Sequence, residues 1–503
     1  MIKIKIYLLA ACLFFAFVAT TNAQDDLQKG KDAIGRGDFV TAVDVLSKAV
    51  ATKQNYETYY YYGFALYKTG SVQKAEDNLK KAIAQDDEGI EAMIALGNIY
   101  SEQKKYDEAN SLFKKGLKVE PENINLMIAQ ANNLSVQGKI DEAIIVLTRA
   151  TSFSKENPKV YVGLGDAWKI RGSYDLAATY YKKAIALKKI PSAYAGLADC
   201  FAKRRKYNEA IIEYDNAINN DPNYADAYLG KGKILYFGNK YQEALEAFKK
   251  YSQLMPGSQE GNSYYAKTLY AQGSYYAERG QTEPANEKFA EALKMLEEVL
   301  KSDPRSITGN LYTAYIYTEK ADLDEANKTE FLTKALDFFN KVSIRDYDIE
   351  DIQKFAKVNT SLKSFDEAFK HYNMAVNKDT TDDDSETLYE WGKSLYKADK
   401  FDEALEKFQK SIDLGNKNMF TKLYMGFCYY SQKKYVEAAP EFKAVVEADP
   451  KFMMAREFLA RAYRFANKNE ESIKAYEEIL QLDPEHKESL EMIKALKAKM
   501  NGN

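Results

Sequence analysis

The chain has 503 residues, 46% of them hydrophobic and 29% charged. Basic and acidic side chains nearly balance, 71 against 74, so neither a nucleic-acid footprint nor an acid-solvated tail is implied. There is no P-loop, no G-x-G-x-x-G, no G-x-S-x-G and no Cys/His metal spacing, and the two histidines, His371 and His486, lie far apart.

Met1–Ala23 stand apart from the rest. Lys3 and Lys5 form a short basic region, Ile6–Val18 an apolar run, and Thr21-Asn22-Ala23 a small or polar cleavage site. That layout predicts a secretory signal peptide, with Gln24 first in the mature chain and no membrane span left after cleavage. Leu9-Ala10-Ala11-Cys12 has the look of a lipobox, but the apolar run before Cys12 is too short and continues after it, so a lipid anchor is not expected. Cleavage leaves Cys200 and Cys428, six repeats apart and read as partly buried structural thiols.

From Gln24 a unit of 33–34 residues recurs. "YNEAIIEYDNAI" from Tyr207 returns as "YQEALEAFKKY" from Tyr241, 34 residues on. Alanines 42, 75, 109, 143, 177, 210, 244, 368, 404 and 438 align, and twelve positions before each stands a small residue, among them Gly30, Gly63, Gly97, Gly165, Gly232, Gly392 and Gly426. Two helices approach closely only where side chains are small. Four residues after each alanine comes a large apolar one, such as Phe113, Tyr181 or Phe408, which gives each helix an apolar stripe. Pro121, Pro222, Pro256, Pro304, Pro450 and Pro484 fall at repeat ends.

This pattern resembles the tetratricopeptide repeat, W-x2-L-G-x2-Y, then A-x3-F, then P. The first tryptophan is usually replaced here by tyrosine or an aliphatic residue. The resemblance implies an all-α, right-handed superhelical solenoid of about thirteen helix–turn–helix repeats. Repeats one to seven are expected over 24–258 and repeats ten to thirteen over 349–486. Between them, 259–348 hold two longer, irregular copies, with Thr282 read as the cap of a helix carrying Pro284 in its first turn. Their extra length reads as a tolerated insertion, a protrusion or a hinge. The acidic run Asp379–Glu386 lacks calcium-loop spacing and reads as a solvated linker. Residues 487–503 read as a capping helix and tail.

In such repeats the first helices line a concave groove that holds peptides or partner helices. By that resemblance, the residue after each small one faces the groove: Lys31, Phe64, Asn98, Asn132, Asp166, Asp199, Lys233, Lys267, Tyr315, Lys357, Lys393, Phe427 and Arg461. Asn98 and Asn132 form a short ladder able to hydrogen-bond an extended backbone. Asp166 and Asp199 follow as an acidic patch, and Lys233 to Lys393 is mainly basic. Tyr60, Tyr61, Phe64 and Tyr67 near one end, with Phe420, Tyr424, Phe427 and Tyr430 near the other, offer aromatic anchors or simply pack between repeats. Phe64 stands where a carboxylate-gripping groove would want asparagine, so that clamp is not supported. His371, beside Tyr372, reads as a surface or groove-rim residue.

The function implied is a non-enzymatic scaffold or adaptor of a bacterial cell envelope, in the periplasm. It would bind proteins or peptides, such as parts of an envelope or secretion complex, without cofactor, metal or nucleic acid. The alternative is carbohydrate or peptidoglycan binding on the groove aromatics.

Overall fold

The computed structural model describes residues 24–378, 384–500 and 502. The signal-peptide and Cys12 readings, and residues 379–383 of the acidic run, lie outside the described residues. All regular structure among the described residues is helical, without a strand. Helices follow one another in pairs, a first helix typically of 13 residues and a second of 14, as in Tyr56–Lys68 with Val72–Gln85 and Ile90–Glu102 with Tyr106–Val119. The all-α repeat fold is therefore the one the sequence pattern requires.

The pairs form because a small residue on the first helix meets a large one on the second, sixteen residues on. A Cβ placed on Gly63 would lie 2.9 Å from Leu79 Cγ, and one on Gly97 would lie 2.4 Å from Phe113 Cε1. Gly392 meets Phe408, and Gly426 meets Phe442, in the same way. Phe113, Phe248, Phe289, Phe408 and Phe442 are completely buried. Each contributes about 1.5–3 kcal/mol by leaving water.

The turn inside each pair is closed by the backbone. The Ser71 N–H donates to Leu66 O at 2.9 Å and the Gly70 N–H to Tyr67 O at 3.1 Å, a helix end that needs one left-handed residue. Gly70 and Gly172 take that conformation with φ of 80° and 83°, while Lys104, Arg205 and Lys433 do so at about 60°.

Adjacent repeats are also tied at their edges. Arg204 Nη1 lies 2.6 Å from Asp175, Arg171 pairs with Asp141, and Gln432 Nε2 donates to Asp402 at 2.8 Å. Each partner sits at the start of the preceding repeat's second helix, 29 or 30 residues earlier in sequence.

By contact density the chain divides into two compact units, one ending at Lys240 and the other beginning at Tyr241. In the first unit, first helices pack against the first helices of the neighbouring repeats as well as against their own partners, which makes theirs the inner layer.

In the second unit, Gln259–Ala277 and Thr282–Ser302 reach 19 and 21 residues. Gln281 rather than Thr282 occupies the cap position, and Pro284 lies in the first turn. Ile307–Leu323 has 17 residues and pairs with Lys328–Asn340, after which residues 341–348 form an irregular connection holding the 3-10 turn Ile344–Asp346. The extra length of this copy thus lies partly in its longer first helix and partly after Asn340. Lys487–Met500 closes the chain as a helix packed on Asn469–Leu482.

Candidate partner-binding groove

The inner layer of the first unit carries two clefts. The first, of about 780 Å³, is lined by Tyr60, Phe64, Tyr67, Asn98 and Asn132, brought together from three successive first helices. Phe64 lies within 6.2 Å of Tyr60, ring centre to ring centre, and the Lys68 ammonium sits 5.5 Å over it. Burial, then neighbouring Tyr61 and Glu91, pushes the Tyr60 phenol up to about 12. The Tyr67 hydroxyl donates to Glu102. Asn98 is half-buried and Asn132 exposed, and neither amide has a hydrogen-bond partner among the described residues. Both keep their full donor and acceptor capacity for a bound chain.

The same cleft is lined by residues absent from the sequence reading: Glu91, Ile94, Asn125, Ile128 and Lys159. They stand four or seven positions before Asn98, Asn132 and Asp166, on the same helical stripe. That spacing was the available signal.

Asp166, Asp199 and Lys233 line the second cleft, of about 890 Å³, with Tyr174, Tyr207 and Tyr224. Here the acidic residues face inward as well as outward. The Tyr181 hydroxyl donates to Asp166 Oδ1 at 2.5 Å and the Tyr214 hydroxyl to Asp199 Oδ1 at 2.5 Å. Lys169 Nζ lies 2.7 Å from the other oxygen of Asp199. Burial holds the Asp166 carboxyl above the usual carboxylate range despite the bond from Tyr181. Burial opposes the charge on Lys169, but Asp199 and then Asp166 outweigh it and keep its pKa high. The pair of aspartates is thus in part an internal structure and only in part a patch offered to a partner.

The remaining sequence candidates are engaged by their own neighbours. Tyr61 packs against the buried cluster that includes Leu27, Ala33, Ala42 and Leu46 of the first repeat, with the Lys31 ammonium 4.7 Å from its ring centre. Lys357 is exposed, 4.0 Å from Asp322, and Lys393 pairs with Glu390 at 2.6 Å. Tyr424 lies among Tyr396, Phe408 and Phe427, with centroids 5.5, 5.9 and 6.1 Å away, and Phe427 packs on Phe458 at 4.9 Å. The Arg461 guanidinium is taken up by Glu488 of the last helix, Nε to Oε1 at 2.8 Å, with a second bond beside it. His371 is only 6% exposed, against the surface or rim position expected for it, because its ring is clamped on Phe355 with centroids 4.2 Å apart.

Among the described residues, no group of three or more His, Cys, Asp or Glu side chains is placed to hold a metal ion, and no helix is long and apolar enough to cross a membrane. Cys200 and Cys428 are fully buried.

Family models described as "Tetratricopeptide repeat" match residues 66–132, and then 128–194, 170–225, 195–258, 389–451 and 429–487. No curated protein matches the sequence. Among solved structures, a tetratricopeptide repeat protein from Parabacteroides merdae is similar at 18% identity and a TM-score of 0.42, over 50% of this chain and 99% of that one. PilF of Pseudomonas aeruginosa is similar at 22% identity and 0.33, over 42% and 97%. The Cut9–Hcn1 hetero-tetramer of the APC/C is similar at 14% identity and 0.37, over 93% and 95%. Proteins built on these repeats generally mediate protein–protein interactions and are typically non-catalytic scaffolds. With family matches over more than half its length, the chain belongs to the tetratricopeptide-repeat family.

Proposed function

We propose that the chain is a non-enzymatic scaffold that binds a partner protein or peptide along the first-helix face of repeats two to seven. The observation that carries this reading is the first cleft. Three aromatic side chains there flank two asparagine amides that the protein itself leaves unbonded. Aromatic shelves supply area, and free amides supply register for an extended backbone. A stacked repeat array is rigid before binding, so the receptor loses little ordering entropy.

The cell-envelope setting is part of the proposal and rests on the residues of Met1–Ala23. Fusing residues 1–30 to a reporter active only after export tests it; retention of the reporter in the cytoplasm would refute it. The groove is tested by affinity capture from crosslinked cells, using the chain and its Phe64→Ala/Asn98→Ala/Asn132→Ala variant as baits. A partner captured by the first and lost by the second supports the groove. Equal capture by both excludes it.

A further inference from the structure

We infer that the segment held in the first cleft is an uncharged peptide in the polyproline II conformation, with an apolar side chain at every third residue. The inference rests on the groove reading and adds to it the conformation and sequence pattern of what the groove holds.

Two rows of side chains run along the cleft. Tyr60, Ile94 and Ile128 stand 34 residues apart and make an apolar row; Phe64, Asn98 and Asn132, at the same interval, make a second row beside it. The first helices that carry them pack on one another, so successive positions in a row lie about 8–10 Å apart. A bound chain matches the cleft when it brings an equivalent side chain, and one open backbone group, to the same side once in each interval.

The backbone conformations differ in that period. A β-strand returns to one face every second residue, roughly 6.6–6.8 Å, and falls out of step with the rows. An α-helix returns close to one face every seventh residue, about 10.5 Å, but its backbone groups are bonded internally. It has nothing to offer the amides of Asn98 and Asn132, which have no partner among the described residues. Polyproline II has three residues per turn, a rise of about 9.3 Å per turn and no internal hydrogen bonds. It presents one apolar side chain and one open carbonyl per repeat, and so meets both rows.

Charge points the same way. Glu91 and Glu102 line the cleft together with Lys68 and Lys159, which leaves it no net charge. Both carboxylates already accept a tyrosine hydroxyl, from Tyr56 and Tyr67 respectively. The Lys68 ammonium lies over the Phe64 and Tyr67 rings, 5.5 and 5.4 Å from their centres. Aromatic-lined grooves suit proline-rich chains, whose preformed helix has little entropy left to lose.

Fluorescence anisotropy of the full chain with a dye-labelled peptide of four Pro-Pro-Val triplets tests the inference. The comparisons are an isomer of the same composition with its valines in one block, and a peptide of Pro-Pro-Glu triplets. Saturable binding of the valine triplets is expected, at least tenfold tighter than either comparison. Asn98→Ala/Asn132→Ala should weaken it at least tenfold while the helical circular dichroism is unchanged. The absence of saturable binding, or equal affinity for the block isomer or the glutamate peptide, overturns the inference. So does a folded Asn98→Ala/Asn132→Ala variant that binds the triplets as the original chain does. The comparison of the two isomers uses the unaltered chain and decides even if the variant does not fold. Failure here, with a cellular partner still captured by the chain and lost by its Phe64→Ala/Asn98→Ala/Asn132→Ala variant, rejects the polyproline II form alone; failure of both rejects the groove.

Discussion

The Tyr181 hydroxyl donates to Asp166 Oδ1 at 2.5 Å, joining the second helix of repeat five to the groove face of its first. Tyr214 and Asp199 repeat the bond one repeat later. Tyrosine takes the large-residue position in both repeats, where phenylalanine or leucine stands in the repeats around them. A buried phenol needs an acceptor, and the aspartate fifteen residues earlier supplies it.

Tyr181→Phe removes that donor and leaves a half-buried carboxylate short of one bond. A loss of about 1–3 kcal/mol is expected, read as a lower melting temperature and faster amide exchange over residues 158–220.

The same carboxylate sets a pH dependence. Its pKa is raised in the folded chain, chiefly by burial, so the native state binds more protons than the unfolded one just above the ordinary value of 3.8. Stability attributable to Asp166 therefore falls as pH rises through that window. Asp166→Asn should flatten the local slope, measured by amide exchange of the Tyr174–Leu187 helix across the acid range. An unchanged slope would contradict the assignment.

Gly196 and Gly230 admit these tyrosines. A Cβ on Gly196 would lie 2.3 Å from Tyr181 Cζ, and one on Gly230 would lie 2.3 Å from Tyr214 Cζ. Gly196→Ala should cost about 1–3 kcal/mol by overpacking. Gly35→Ala, whose Cβ meets nothing within 4 Å, should be neutral or slightly stabilising. Paired denaturation curves distinguish the two.

Much of this was legible in the sequence. The 34-residue period identified the helix pairs, since Gly63, Gly97 and Gly392 could serve only as seats for the large residue sixteen positions on. The Asn98–Asn132 ladder with Phe64 was legible for the same reason: a fixed period puts equivalent positions on one face. What the period could not convey was how a groove-facing side chain is shared. Asp166 looks the same in sequence whether it serves a partner or Tyr181, and Arg461 gives no sign that Glu488 reaches back to it. His371 was misplaced because the period places its backbone but not the Phe355 ring that stacks on it and covers it.

Arg461 holds the last helix. Glu488 is kept below the usual carboxylate range first by its hydrogen bond from Arg461. Its contribution is therefore present above the unfolded value and lost as pH falls through the folded one. The pair is partly exposed, 26% and 32%, so Arg461→Ala should cost no more than about 1 kcal/mol. Amide exchange should rise selectively over Lys487–Met500, in the variant at neutral pH and in the original chain on acidification.

Cys200 and Cys428 are buried, and burial pushes both thiols up to about 12. Both should resist a thiol reagent in the native chain and react together on unfolding. Rapid native labelling of either would contradict their placement.

The most direct measurement is crosslinking from defined positions in living cells. A photo-crosslinking residue at Ile94 or Ile128, in the first cleft, is compared with one at Ile145, which is 68% exposed on a second helix. The groove account predicts one discrete protein adduct from the two cleft positions, abolished by Asn98→Ala, and none from Ile145. The same adduct from Ile145, or one indifferent to Asn98→Ala, would contradict it.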